Sequence, residues 1–275
     1  MCLLSACIAL CGLPQYTAQP LLDWADYRLL LYHPLVSGEP IPVWWLEAVC
    51  RSGSTSRRWE ETVIPGTTVR LNGSGKAERV TLRTSLTNGV EIEHDLRAVR
   101  EGLVARLTIR NTTDRPVDAA WAQPCIQVAG FTGRSQETYL DRCFLFTQDG
   151  PRFLHELPRA TEALYQGGQV YVPAPVPRDD VNPRPISEVR PSRGLIGCVS
   201  ADGQFVLATA WSSTQELFQG VITCIHSDLR IGGLRPRETK RLTGRIYLLP
   251  NDLPALLRRY EKDFPDWRRD MGVDR

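Results

Sequence analysis

Between Trp211 and Asp228 the chain reads WSSTQELFQGVITCIHSD, and an indole, Gln215, Gln219, Glu216, His226 and Asp228 crowd into a span that is otherwise strand-like. On an extended strand His226 and Asp228 share one face while Ser227 points to the other. A carboxylate so placed can hold the imidazole by a hydrogen bond and poise it as a general acid or base near neutral pH. The same pair supplies two of the three protein ligands of a catalytic divalent metal, the third then coming from far off in sequence. A strand end, with Asp228 in a turn capped by His226, is the third reading, and all three stay open. Glu216 is the natural partner carboxylate. Two proton-exchanging groups with separated pKa values are what glycosidic cleavage, epimerisation or β-elimination requires. Its plain alternative is a solvated side chain in a loop after a strand. The acid/base set expected from sequence is therefore His226, Glu216 and Asp228, with His226 carrying the proton transfer wherever chemistry occurs.

A saccharide also needs a platform. The indole face packs against the apolar C–H face of a pyranose while its N–H seeks a polar partner, and Trp121 and Trp211 are the candidates; core packing is the alternative for both. Gln123, Gln215 and Gln219 are the expected polar contacts. Arg184 joins them from a polar cluster, Arg178, Asp179, Asp180, Asn182 and Arg184, set among prolines. Proline rigidity lowers the entropy lost when a loop closes on a ligand, and a solvated loop is the competing account. Other chemistries lack their signatures: there is no GxSxG elbow, phosphate loop or Rossmann fingerprint. No cofactor is expected, and no metal ligand set is assigned. A metal-dependent hydrolase survives only with distant residues converging on His226.

The elements that must position these residues are strands. Pro34, Pro40 and Pro42 forbid a continuous helix near the start, leaving Leu29–Tyr32 and Val43–Leu46 as short buried strands. From Val63 on, residues alternate with period two. Thr87-Asn88-Gly89 is a hairpin signal between Arg79–Thr84 and Val90–Leu96, and Leu103–Arg110 continues the meander. Val117 to Val128 reads as a strand pair interrupted by Pro124. The proline-rich stretch from Gln148 to Arg193 is too long for a plain connection and is expected to lie across one face. Strands return at Leu195–Val199, Gln204–Trp211, Val221–Ile225 and Thr239–Leu248. Only Leu253–Asp263 has helical spacing, with Asp252 as its N-cap. The expected fold is all-β: two packed antiparallel sheets in one domain over residues 20–275, closed by a short C-terminal helix.

Composition bounds the rest. At 275 residues, 42% hydrophobic and 23% charged, the chain has ordinary globular composition. Its 33 basic and 31 acidic residues are interspersed, which removes nucleic acid as a partner class. No transmembrane segment is expected in the body of the chain, and oligomeric state stays open. The beginning, MCLLSACIALCGLP, is apolar, and Leu4-Ser5-Ala6-Cys7 resembles a lipoprotein cleavage box, although no Lys or Arg precedes it. Residues 1–19 are read as a leader or signal remnant, making the protein exported (periplasm, cell surface or lipoprotein) or else cytoplasmic. No CxxC pair occurs among the eight cysteines, so a zinc knuckle is excluded. Cys125, Cys198 and Cys224 sit in apolar surroundings as buried reduced thiols, with disulfides as the alternative.

The segment Val90–Phe131, VEIEHDLRAVREGLVARLTIRNTTDRPVDAAWAQPCIQVAGF, resembles the middle of galactose mutarotase-like proteins. Their supersandwich places a strand of the type LxVxNxxDxPV before a strand carrying a sugar-facing residue. Gly233–Thr239 resembles their LxPGE turn, with Arg237 where glycine is usual. Where epimerases of that group carry His-Pro, this chain has Gln123-Pro124, so an acid would have to come from elsewhere. The resemblance implies a carbohydrate-handling fold and a saccharide ligand. The function expected is saccharide binding or processing (lyase, epimerase or hydrolase) at a concave sheet face, or else a non-catalytic glycan- or protein-binding structural module.

Overall fold

Strict alternation builds this molecule. In Arg79–Leu86, Val80, Leu82, Thr84 and Leu86 are buried while their neighbours reach solvent, the period that puts alternate side chains on opposite faces. The structure, a computed structural model, describes residues 19–36, 38–160 and 168–273. The leader expected over residues 1–19 thus lies outside the described residues except for Gln19. Among the described residues no helix is long and apolar enough to cross a membrane.

In chain order the strands are β1 (Leu21–Ala25), β2 (Arg28–Tyr32), β3 (Ile41–Cys50), β4 (Gly66–Arg70), β5 (Arg79–Leu86), β6 (Val90–Val99), β7 (Gly102–Asn111) and β8 (Trp121–Gln127). They continue with β9 (Cys143–Thr147), β10 (Gly150–Phe153), β11 (Gln169–Tyr171), β12 (Leu195–Val199), β13 (Phe205–Trp211), β14 (Thr214–Gln219), β15 (Cys224–Arg230) and β16 (Thr239–Pro250). Two antiparallel sheets result. The smaller has the order β1-β2-β3-β8-β15-β14-β11, and the larger β10-β9-β12-β13-β16-β7-β6-β5-β4. One apolar layer between them joins Val43, Ala122, Ile126, Ile225 and Leu229 of the first sheet to Leu96, Leu107, Leu207 and Ile246 of the second.

The outer face of the larger sheet is closed by α3 (Leu253–Asp263) and α4 (Trp267–Met271), which follow the short helices α1 (Trp59–Thr62) and α2 (Ala129–Thr132). Leu256, Tyr260, Phe264 and Trp267 pack there on Phe144, Val206 and Tyr247. Asp252 accepts the Ala255 N–H at 2.8 Å and caps α3 as its position predicts.

Three expectations change. Val117–Val128 is not a strand pair but the single strand β8, bordered by β3 and β15. Residues 214–219 are strand rather than loop, so Glu216 sits in a sheet with a cross-strand partner, Asp228. The strand read at Val221–Ile225 begins at Cys224 and runs on through His226 and Asp228. The long proline-rich connection does cross one face: its Val172, Val176 and Val181 pack with Phe218 against the smaller sheet.

Candidate functional site

Register assembles the site. On the outer face of the smaller sheet, Trp44 is paired with Cys125, and Phe218 with His226. The register Ile225↔Ile126, which recurs at Leu229↔Ala122, puts His226 beside Cys125 one step on. A transverse row Trp44, Cys125, His226, Phe218 therefore crosses four strands, and the next row carries Gln123, Asp228 and Glu216. Between Trp44 and Ala48 the β3–β8 register slips opposite Pro124, which has no N–H to give its neighbour. The chain bulges there, Leu46 takes φ 47°, and Glu47 is thrown out over the row. A non-glycine residue in that left-handed region is strained, a feature that gathers at functional sites.

Above the rows lies a pocket of about 230 Å³. Its floor is Gln123, Cys125, Cys224 and His226. Its walls are Trp44, Glu47 and Trp59 on one side, Phe218 and residues 220–222 on another, and Asn182 and Arg184 from the proline-rich connection. Asn182 Nδ2 donates to Gln123 Oε1 at 2.9 Å, and Gln123 Nε2 donates to Glu47 Oε2 at 3.3 Å, a chain that orients all three. Glu47 is exposed at the rim, yet the protein packed around it desolvates and raises its carboxyl, and nearby His226 draws it part of the way back. A larger, more open depression of about 870 Å³ is lined by Asp118, Asp180, Arg230, Lys240 and residues 232–235, with no aromatic ring among its described lining residues.

His226 is buried on the pocket floor. Its Nε2 lies 3.0 Å from Cys224 Sγ. Its Nδ1 has no hydrogen-bond partner among the described residues, and Asp228 Oδ1, at 3.9 Å, is beyond hydrogen-bonding reach. A hydrogen bond from Cys125, with His226 beside it, holds the Cys224 thiol well below its ordinary range. The same contact, together with burial, pushes Cys125 up.

Glu216 and Asp228 lie apart from the pocket lining, sealed beneath the connection. Asn182 N donates to both Glu216 oxygens at 3.1 Å. Burial pushes the Glu216 carboxyl up to about 8. Burial, and then the charge of Glu216, pushes Asp228 well above the carboxylate range. Asp228 meets no donor among the described residues. A proton held within the pair relieves the repulsion that two facing carboxylates would have. The pair bridges β14 and β15, and neither residue is among those lining the pocket.

The two tryptophans expected as the platform sit elsewhere. Trp211 is buried between the sheets, its ring 5.9 Å from that of Trp45 and lying on Gly244, where an added Cβ would come within 2.6 Å of the indole. Trp121 is fully buried; its Nε1 donates to Ser54 Oγ at 3.0 Å, and its ring backs Trp59 at 6.4 Å. Trp211 falls in the alternate set that faces the core, whereas Trp121 shares the outer face with Gln123 and Cys125 and is covered there by Ser54 and Trp59; the rings open to the pocket are Trp44 and Trp59. Gln215 is buried with its amide donating to Asp180 O. Gln219 is buried with neither amide atom partnered among the described residues. Of the expected contacts, Gln123, Arg184 and His226 line the pocket. Sequence reading missed Trp44, Glu47, Trp59, Cys125 and Cys224. Only the Cys224-x-His226 spacing, one face of a strand, carried a readable signal.

No protein-family model matches the chain, and no curated protein matches it. Solved structures similar to it include a galactose mutarotase-like protein from Lactobacillus casei ATCC 334, at 12% identity and TM-score 0.46, covering 85% of this chain and 98% of that one. The Slr1438 protein from Synechocystis sp. PCC 6803 is similar at 10% identity and TM-score 0.44, covering 84% and 95%. A galactose mutarotase related enzyme from Lactobacillus acidophilus is similar at 9% identity and TM-score 0.40, covering 85% and 99%.

Proposed function

We propose that the protein binds a saccharide in the pocket on the outer face of the smaller sheet, with Trp44 and Trp59 as its apolar walls. One observation carries this reading. Two indoles and a hydrogen-bonded series of amide and carboxyl groups, Asn182, Gln123 and Glu47, converge on one hollow of about 230 Å³. That is room for about one sugar ring, below the ~300–1,000 Å³ of pockets for drug-sized ligands. Indole faces take the C–H face of a pyranose, and fixed amides and a carboxyl read its hydroxyls. Arg184, at the mouth, suits a carboxylate or sulfate substituent.

Glu47 on the pocket wall and His226 on its floor are the groups through which proton transfer to or from a bound sugar would run. Screening oligosaccharides for binding and turnover by wild type, Trp59→Ala, Glu47→Gln and His226→Gln tests the proposal. Binding weakened in Trp59→Ala supports the site. Turnover lost in Glu47→Gln or His226→Gln with binding retained makes the protein an enzyme. Binding without turnover leaves a glycan-binding module, and no binding by wild type removes the proposal.

A further inference from the structure

The floor of the pocket holds more than a saccharide site needs. Cys125 Sγ, Cys224 Sγ and a ring nitrogen of His226 all lie within 4.8 Å of one another, and all three residues are buried yet line the pocket. The sheet makes this convergence. Cys224 and His226 are alternate residues of β15, and Cys125 stands beside His226 on β8. Opposite them Gly220 has no side chain, and an added Cβ would overlap Cys224 Sγ and come 3.1 Å from His226 Nε2. The other described cysteines contribute nothing here. Cys143 and Cys198 belong to the layer between the sheets, and Cys50 packs with Trp121.

We propose that Cys125, Cys224 and His226 bind a zinc ion, with its fourth coordination position opening into the pocket. Two thiolates and an imidazole are the donor set that selects zinc over magnesium or calcium, which take oxygen. Three protein ligands with one open position is the arrangement of a catalytic rather than a purely structural zinc. The fit is close. With Zn–S near 2.3 Å and Zn–N near 2.0 Å, tetrahedral coordination needs sulfur and nitrogen roughly 3.5 Å apart. The 3.0 Å contact between Cys224 and His226 therefore opens by about half an ångström. Binding releases the protons the thiols carry. The open position faces the hollow that Glu47 overhangs, where a water or a ligand oxygen completes the set. The proposal does not depend on what the pocket binds, because the metal is read without any saccharide; a zinc-bound His226 is a ligand that no longer exchanges protons, which leaves that role at the pocket to Glu47.

Metal content decides it. Full-length protein made without a histidine tag in zinc-supplemented medium is expected to carry about one zinc per chain from this site. Cys224→Ser and His226→Ala are each expected to retain less than about a tenth of that, while Cys198→Ala keeps it. Should the variants fail to fold, wild type alone suffices. Reduced, chelator-stripped protein titrated with cobalt is expected to gain thiolate charge-transfer absorption, and zinc is expected to shield Cys125 and Cys224 from iodoacetamide in peptide mapping. Wild type that takes up neither metal, folded Cys224→Ser that holds as much as wild type, or a Cys224 that alkylates equally fast with and without zinc would each overturn the assignment.

Discussion

His94 permits a quantitative test of the interior beneath the site. Trp45 Nε1, which only donates, gives its proton to His94 Nδ1 at 3.0 Å, so the ring proton sits on Nε2. That nitrogen donates to Thr84 Oγ1 at 2.9 Å, whose hydroxyl passes on to Thr68 Oγ1 at 2.8 Å. A second proton on the ring would point N–H at N–H, inside a dry core. Burial lowers the His94 pKa from 6.5 to about 3. Between those values the unfolded chain binds a proton that the native protein refuses, so this group costs stability as pH falls, about 1.4 kcal/mol per pH unit. Glu216, raised by burial to about 8, and Asp270, raised by burial to about 6, run the other way, since the native state there binds the extra proton. The wild-type slope alone is therefore uninformative, and the comparison with His94→Gln isolates the imidazole. Glutamine can accept from Trp45 and donate to Thr84 without titrating. Urea unfolding followed by tryptophan fluorescence at about pH 6 and about pH 4.5 is expected to move in favour of the variant by about 2 kcal/mol on acidification. An equal difference at both pH values, or an NMR titration of native His94 near its ordinary value, would refute the reasoning.

Further outcomes follow from the same geometry. Glu216→Gln is expected to flatten the pH dependence of stability. Wild type has the raised carboxyl's contribution in full below about 4.5 and loses it as pH rises through about 8, so unfolding curves of the two proteins at about pH 5 and about pH 8 should diverge. Gly220→Ala forces a methyl onto Cys224 Sγ. It is expected to cost about 1–3 kcal/mol by overpacking, read by thermal unfolding, and to release bound zinc. Gly102, at φ 118° in the β6–β7 hairpin, leaves the space where an added Cβ would run into the Ile246 carbonyl. Gly102→Ala is expected to lose at least about 2 kcal/mol, and a variant as stable as wild type would contradict that packing.

The two-sheet architecture was legible because its signals are local. Alternation in Arg79–Leu86, the Asn88-Gly89 turn and the Asp252 cap each act within a few residues, and each stands where expected. The site was only partly legible, because it is made by pairing between distant strands. Cys125 meets His226 through a register set by core residues on the opposite face, and Glu47 reaches the pocket through a bulge opposite Pro124. Trp121 and Trp211 illustrate the limit. Residue type announced an indole, but Trp211 fell in the set the core claimed, and Trp121, on the outer face, is covered by Ser54 and Trp59 from a distant segment.

The most direct measurement of the central claim is calorimetric titration of a panel of mono- and oligosaccharides, neutral and acidic, into wild type, Trp44→Ala and Trp59→Ala. At least one sugar is expected to bind wild type and to bind each variant about tenfold or more weakly, a loss of ~1.4 kcal/mol. Binding that survives both substitutions unchanged would place the sugar elsewhere, and a wild type that binds none of them would contradict the account.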